Sequence, residues 1–232
     1  MENLSSTNWS DRKDGLFGLD NFLRYSDEKL NSFQLKRITD IFTRMLVDPH
    51  TKVSNLNEIE YHQLLTCFLL FKTFSLLINI LNELIHIYKN DLNSWLYILM
   101  TRLFLKAGSD TLGSIQTRIL KTFELIRESF PIDHQFNVIM RLLSDQTQTL
   151  NTKVKIAVLQ YLSKLIFLMD SSDFTFDRPN NHDIQTALVK IVSWTADIKS
   201  SDLRKISQDT IVDLYNLNSN EMTQYLNQLR KT

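Results

Sequence analysis

The sequence predicts an all-α protein built from stacked helical hairpins, and three observations predict it. Apolar residues recur at helical spacing along almost all of its 232 residues. Glycine and proline are scarce, at four and three, which leaves too few tight turns for a sandwich or barrel. Candidate helix starts recur at intervals of around 40 residues.

The elements follow in order. A first helix starts near Ser10, within the polar opening residues MENLSSTNWSDRKD, which carry no signal-peptide pattern. Leu35, Ile38, Ile41, Phe42, Met45 and Leu46 form one apolar stripe, closed by the Asp48-Pro49 break. A further start falls near Thr73, and the next near Asp110, in the turn Gly108-Ser109-Asp110, where Ser109 or Asp110 would cap the helix. Leu112, Ile115, Ile119, Phe123, Ile126 and Phe130 form a second stripe, ended at Phe130-Pro131. Asn151-Thr152 opens the third, Val154, Val158, Tyr161, Leu162, Leu165, Ile166 and Met169. Arg178-Pro179-Asn180-Asn181 breaks the chain again, and a last start falls near Ser201.

By subtraction the later starts lie 37, 41 and 50 residues apart, close to the roughly 40–47 residues of HEAT-type units. In such a solenoid each hairpin buries its faces against its neighbours, and the loops within hairpins line up along one edge where a binding site can form. The first interval, 63 residues, is too long by half a unit. Its end is overlapped by Leu64 to Leu81, an apolar run with the single charge Lys72, long enough to raise the question of a membrane helix. Lys72 would sit mid-segment and the neighbouring helices are amphipathic, so a soluble reading without membrane insertion is expected.

Charge and chemistry narrow the function. Lys plus Arg equals Asp plus Glu at 26 each, so no overall field favours nucleic acid, and electrostatic specificity must be local. The single cysteine, Cys67, allows no internal disulfide and no cysteine-rich zinc site. The five histidines lack metal-ligand spacing, and no nucleophile motif is present. Residues 108–114 have the glycine spacing of a phosphate loop without its lysine or a preceding strand. No catalysis, cofactor or metal is expected.

The suggestive residues lie in predicted loops within hairpins or at helix starts. Trp9 precedes the first helix, Lys52 follows Asp48-Pro49, Lys153 and Lys155 open a later helix, and Lys199, Arg204 and Lys205 bracket the last start. Stacked repeats would bring them to one edge, as an aromatic anchor beside cations suited to an acidic protein partner. Spacing alone favours the plainer alternative, in which the cations are ordinary solvated residues and Trp9 covers the end of the core.

At these residues the sequence resembles a known family. NWSDRKDGLFGLDNFL, LKRITDIFTRMLVDPHTK, WLYILMTRLFLKAGSDTLGSIQTRI, IRESFPIDHQFNVIMRLLSDQTQTLNTKVKIAVLQYL and WTADIKSSDLRK are similar to the third TOG domain of the CLASP proteins. The likeness runs from Ser5 to Lys52 and from Thr73 to about Leu217, and helix physics does not demand RESFP, DQTQT or KSSD. It implies a TOG-type HEAT-repeat α-solenoid paddle of about six helical hairpins, one domain over residues 5–230, whose loops within repeats bind the αβ-tubulin heterodimer or the microtubule. Carried over by position, Trp9 would anchor on β-tubulin, supported by Lys13, while Lys52, Lys153, Lys155, Lys199, Arg204 and Lys205 would make charge contacts. Ser114 and Gln116, at the start of another helix, join the set. The resemblance further implies rescue promotion and catastrophe suppression of microtubules, a place in the cytoplasm on microtubules and the mitotic spindle, and a monomeric isolated domain. A generic HEAT scaffold binding a non-tubulin adaptor is the alternative, and it would keep its binding without Trp9 and the basic loops. Because it begins with Met and stops shortly after the domain, the chain reads as a fragment or an incomplete gene model.

Val53 to Lys72 stands outside the family pattern. Removing these twenty residues shortens the 63-residue interval to 43 and restores the period. Val codons begin with GT and a Lys codon can end with AG, so the segment reads either as a retained in-frame intron or as a loop insertion of low entropic cost. Its apolar residues Leu64, Leu65, Phe68, Leu69, Leu70 and Phe71 must extend the following helix or form an exposed patch.

Overall fold

A computed structural model describes residues 3–6, 8–47, 61–110, 113–176 and 181–229, with the side chains of 9, 61–71, 181, 228 and 229 left out. The described residues contain no strand. The chain forms two compact units, residues 1–129 and 130–232.

The first unit opens with a 3-10 turn at Asn3–Ser5 and continues through α1 (Trp9–Tyr25), α2 (Ser32–Met45), α3 (Tyr61–Tyr88), α4 (Leu96–Ser109) and α5 (Gly113–Ser129). Local chemistry sets several ends. The Asn31 side chain accepts from the Gln34 N–H while the Gln34 side chain accepts from the Asn31 N–H, a reciprocal pair that opens α2. Asn8 accepts from Ser10 at the start of α1.

In this unit α1 packs on α3 and α3 on α5, while α2 packs on α4, so alternate helices form two layers. Polar contacts fix the direction. Asn79 faces Arg118 at 3.4 Å and Asn82 accepts from Thr122 at 2.9 Å, so α3 and α5 run parallel. The Trp95 indole donates to Thr43 at 2.9 Å, joining α4 to α2. Leu16, Ile38, Phe42, Leu77, Leu81, Leu84, Leu99, Phe104, Ile119 and Ile126 fill the core. The Phe104 and Phe123 rings stack at 4.3 Å between centroids.

The second unit contains α6 (Ile132–Ser144), α7 (Thr152–Ile166), α8 (Asn181–Trp194), α9 (Ser201–Leu217) and α10 (Ser219–Leu229). Here α6 packs on α8 and α7 on α9, and α6·α7 and α8·α9 form antiparallel hairpins. Asn151 caps α7 through the Val154 N–H, and Ser200 caps α9 through the Leu203 N–H. The Lys190 ammonium donates to the carbonyls of Ser144 and Asp145, both at 3.2 Å, and satisfies the end of α6. Phe136, Val158, Leu162, Phe174, Leu188, Ile191 and Leu214 are its buried centre.

The expected starts near Ser10, Asn151 and Ser201 are met within one residue. Every described residue of the three stripes is buried except Met45, which is half-buried, and Leu112 lies outside the described residues. The start expected near Thr73 is a correction. Thr73 is buried inside α3, whose backbone is helical from Tyr61, because the apolar run up to Leu81 carries no glycine or proline to break the helix. By the Asn82–Thr122 register, Thr73 lies level with Gly113 at the start of α5. The twelve residues from Tyr61 to Lys72 therefore carry α3 about 18 Å past the start of α5. The Asp48-Pro49 break, residues 53–60 of the segment expected to be an insertion, and positions 178–180 lie outside the described residues. Ser109 and Asp110 close α4: the Ser109 hydroxyl donates to the Lys106 carbonyl, and the Asp110 carboxylate pairs with the Lys106 ammonium at 3.2 Å in a buried setting.

Candidate functional site

The described candidates share one structural feature: they lie just before, or within the first five residues of, odd-numbered helices. Trp9 and Lys13 lie on α1, Ser114 and Gln116 on α5, Lys153 and Lys155 on α7, and Lys199, Arg204 and Lys205 at the start of α9. The connections preceding α5, α7 and α9 are turns within contacting pairs, since α4 touches α5, α6 touches α7 and α8 touches α9. Lys52 lies outside the described residues.

In the first unit the start of α1 is held by its own polar residues. The Asn8 N–H donates to the Ser6 hydroxyl at 3.0 Å, and that hydroxyl donates to the Asp11 carboxylate at 2.9 Å. The backbone of Trp9 is the first residue of this braced turn. Lys13 is half-buried with its ammonium 5.6 Å from the Phe17 ring centroid, within cation–π reach. Ser114 is exposed. Gln116 is half-buried, and its amide donates to the Asp110 carbonyl at 2.8 Å, so it braces the turn between α4 and α5.

In the second unit the structure divides the five cations by task. Lys153, Lys199 and Lys205 are exposed. The Lys155 ammonium sits 4.9 Å from the Trp194 ring centroid, which brings the start of α7 against the α8–α9 turn. Arg204 donates to the Asp197 carbonyl at 2.6 Å, tying the first turn of α9 back onto the same turn. Asp197 completes the brace, its carboxylate accepting from the N–H groups of Lys199 at 2.9 Å and Ser200 at 2.8 Å. At the far ends, the Ser163 hydroxyl donates to Asp213 at 2.6 Å, so the starts of α7 and α9 are level.

Sequence reasoning named the cations and missed the residues that position them: Ser6, Asn8 and Asp11 around Trp9, and Trp194, Asp197 and Ser200 around Arg204. The signal was present in part: Asn8 and Ser200 immediately precede a helix, and Ser6 and Asp197 stand three and four residues before one, the residue types that bond to free N–H groups. Among the described residues no group of His, Cys, Asp or Glu could hold a metal ion, and no helix is long and apolar enough to cross a membrane.

No family model matches the chain. CLIP-associating protein 1 of Xenopus tropicalis is 41% identical over 232 residues, all of this chain and 14% of the relative. The CLIP-associating protein of Drosophila melanogaster is 38% identical over 228 residues, 98% of this chain and 14% of the relative. The chain thus spans about a seventh of the length of these curated relatives. A solved structure described under TOG–tubulin binding specificity in microtubule dynamics and mitotic spindle formation matches with a TM-score of 0.55 at 17% identity, covering 97% of this chain and 78% of that one. At that identity the likeness establishes the all-helical TOG fold. Over its whole length the chain is a homologue of one segment of the CLIP-associating proteins and has the fold of a TOG domain.

Proposed function

We propose that the chain is a tubulin-binding TOG domain, corresponding to the third of a CLASP-type protein, acting by binding rather than catalysis. The observation that carries the reading is the placement of every described candidate at the beginning of an odd-numbered helix, at braced turns rather than scattered over the helix faces. Homology over the whole chain to CLIP-associating proteins supports it. Trp9 supplies the apolar anchor and Lys13 stands one turn further on. Lys153, Lys199 and Lys205 are the charges that meet an acidic partner. Arg204, Lys155 and Gln116 hold the turns in shape, and Ser114 is exposed for a polar contact. In its parent the domain contributes tubulin affinity to the promotion of rescue and the suppression of catastrophe, in the cytoplasm on microtubules and the spindle. Size-exclusion chromatography with purified αβ-tubulin tests the reading: a complex eluting ahead of both components is expected, and separate elution at micromolar concentrations rejects it.

A further inference from the structure

Lone exposed apolar residues are common on folded proteins, so exposure alone assigns nothing. Ile198 is a special case because of where it stands. It is 94% exposed, the most open of the large apolar side chains described. Tyr25 and Phe167, at 81% and 79%, lie at the C-terminal ends of α1 and α7, away from the candidate cations at helix starts. Ile198 occupies the tip of the α8–α9 turn, between Asp197 and Lys199.

That turn is pinned on both sides of Ile198. The Asp197 N–H donates to the Trp194 carbonyl at 3.1 Å, and the Asp197 carboxylate accepts from Lys199 and Ser200. Arg204 holds the Asp197 carbonyl, and Ser200 caps α9. A side chain on such a turn is presented in one place at little further entropic cost on binding. The turn and the first five residues of α9 carry Lys199, Arg204 and Lys205 against Asp197 and Asp202, and Lys155 of α7 reaches the same turn through Trp194, so cations outnumber acids there. One oxygen of the Asp197 carboxylate already serves two backbone donors.

We infer that Ile198 is an apolar anchor by which the α8–α9 turn seats on an acidic folded protein surface, entering an apolar dimple while the lysines around it meet carboxylates. The inference rests on the function proposed above, under which that surface belongs to tubulin. It divides the labour of the turn: the exposed lysines set the rate of encounter and its salt dependence, and Ile198 sets the lifetime of the complex.

The test measures association and dissociation rates of the full chain with αβ-tubulin for wild type, Ile198→Ser and Ile198→Leu, at two salt concentrations. Ile198→Ser should dissociate about tenfold faster or more, with association and its salt dependence unchanged, because a buried isoleucine is lost and no charge is touched. Ile198→Leu should restore the wild-type lifetime. Equal dissociation rates for wild type and Ile198→Ser overturn the inference and leave the tubulin reading standing. A wild-type chain that binds no tubulin overturns that reading, and the inference with it.

Discussion

Gly15 and Gly18 lie one turn apart on α1 in opposite surroundings. A Cβ on Gly15 would come within 2.7 Å of the Leu4 backbone nitrogen, whereas one on Gly18 would meet nothing within 4 Å. Helix propensity favours alanine over glycine by up to about 1 kcal/mol at both. At Gly15 the gain is opposed by the Asn3–Ser5 turn, whose Leu4 is buried against the helix and must move. Gly18→Ala should therefore raise the unfolding free energy by about 0.5–1 kcal/mol, and Gly15→Ala should give no gain or a loss. Equal gains in chemical denaturation would contradict the packing of the amino-terminal turn. The difference was not legible in the sequence, because it depends on a segment folding back over α1. Sequence alone likewise could not sort the cations: Arg204 and Lys205 are adjacent, yet one is committed to a carbonyl and the other is exposed.

The start of α9 turns that sorting into a prediction. Arg204→Glu removes a charge-assisted hydrogen bond to Asp197 and sets two acids side by side, so it should destabilise the second unit by about 1.5–3 kcal/mol. The pair Lys199→Glu with Lys205→Glu should leave stability within about 0.5 kcal/mol, since both side chains are exposed. That pair should instead slow tubulin association and weaken its salt dependence, over a screening length of about 8–10 Å. Thermal unfolding and stopped-flow association separate the two effects, and a stable Arg204→Glu chain with slowed association would reverse the assignment. The helices themselves were largely readable, because apolar periodicity and capping residues are local signals: Asn151 opens α7, and α9 starts at Ser201, as expected. The start of α3 was not, because Thr73 is a capping residue type while nothing between Tyr61 and Thr73 breaks the helix with a glycine or proline.

For the whole chain, the length of α3 bears on Tyr61 to Lys72, the described part of Val53 to Lys72. From Thr73 onward the helix is already level with α5, so the preceding twelve residues add length without being needed for that match. Deleting 53–72 should give a chain at least as stable and more soluble, with tighter tubulin binding; unfolding on deletion would show instead that the segment belongs to the core. Even so, the central claim concerns which ends of the helices bind. Trp9 and Tyr25 are aromatic residues at opposite ends of α1, and Tyr25 is 81% exposed. The most direct test compares the αβ-tubulin affinities of Trp9→Ala and Tyr25→Ala against wild type, with circular dichroism confirming equal helix content. The account predicts a loss of about 2–4 kcal/mol for Trp9→Ala and an unchanged affinity for Tyr25→Ala. An unchanged Trp9→Ala, or an equal loss in both, would contradict it.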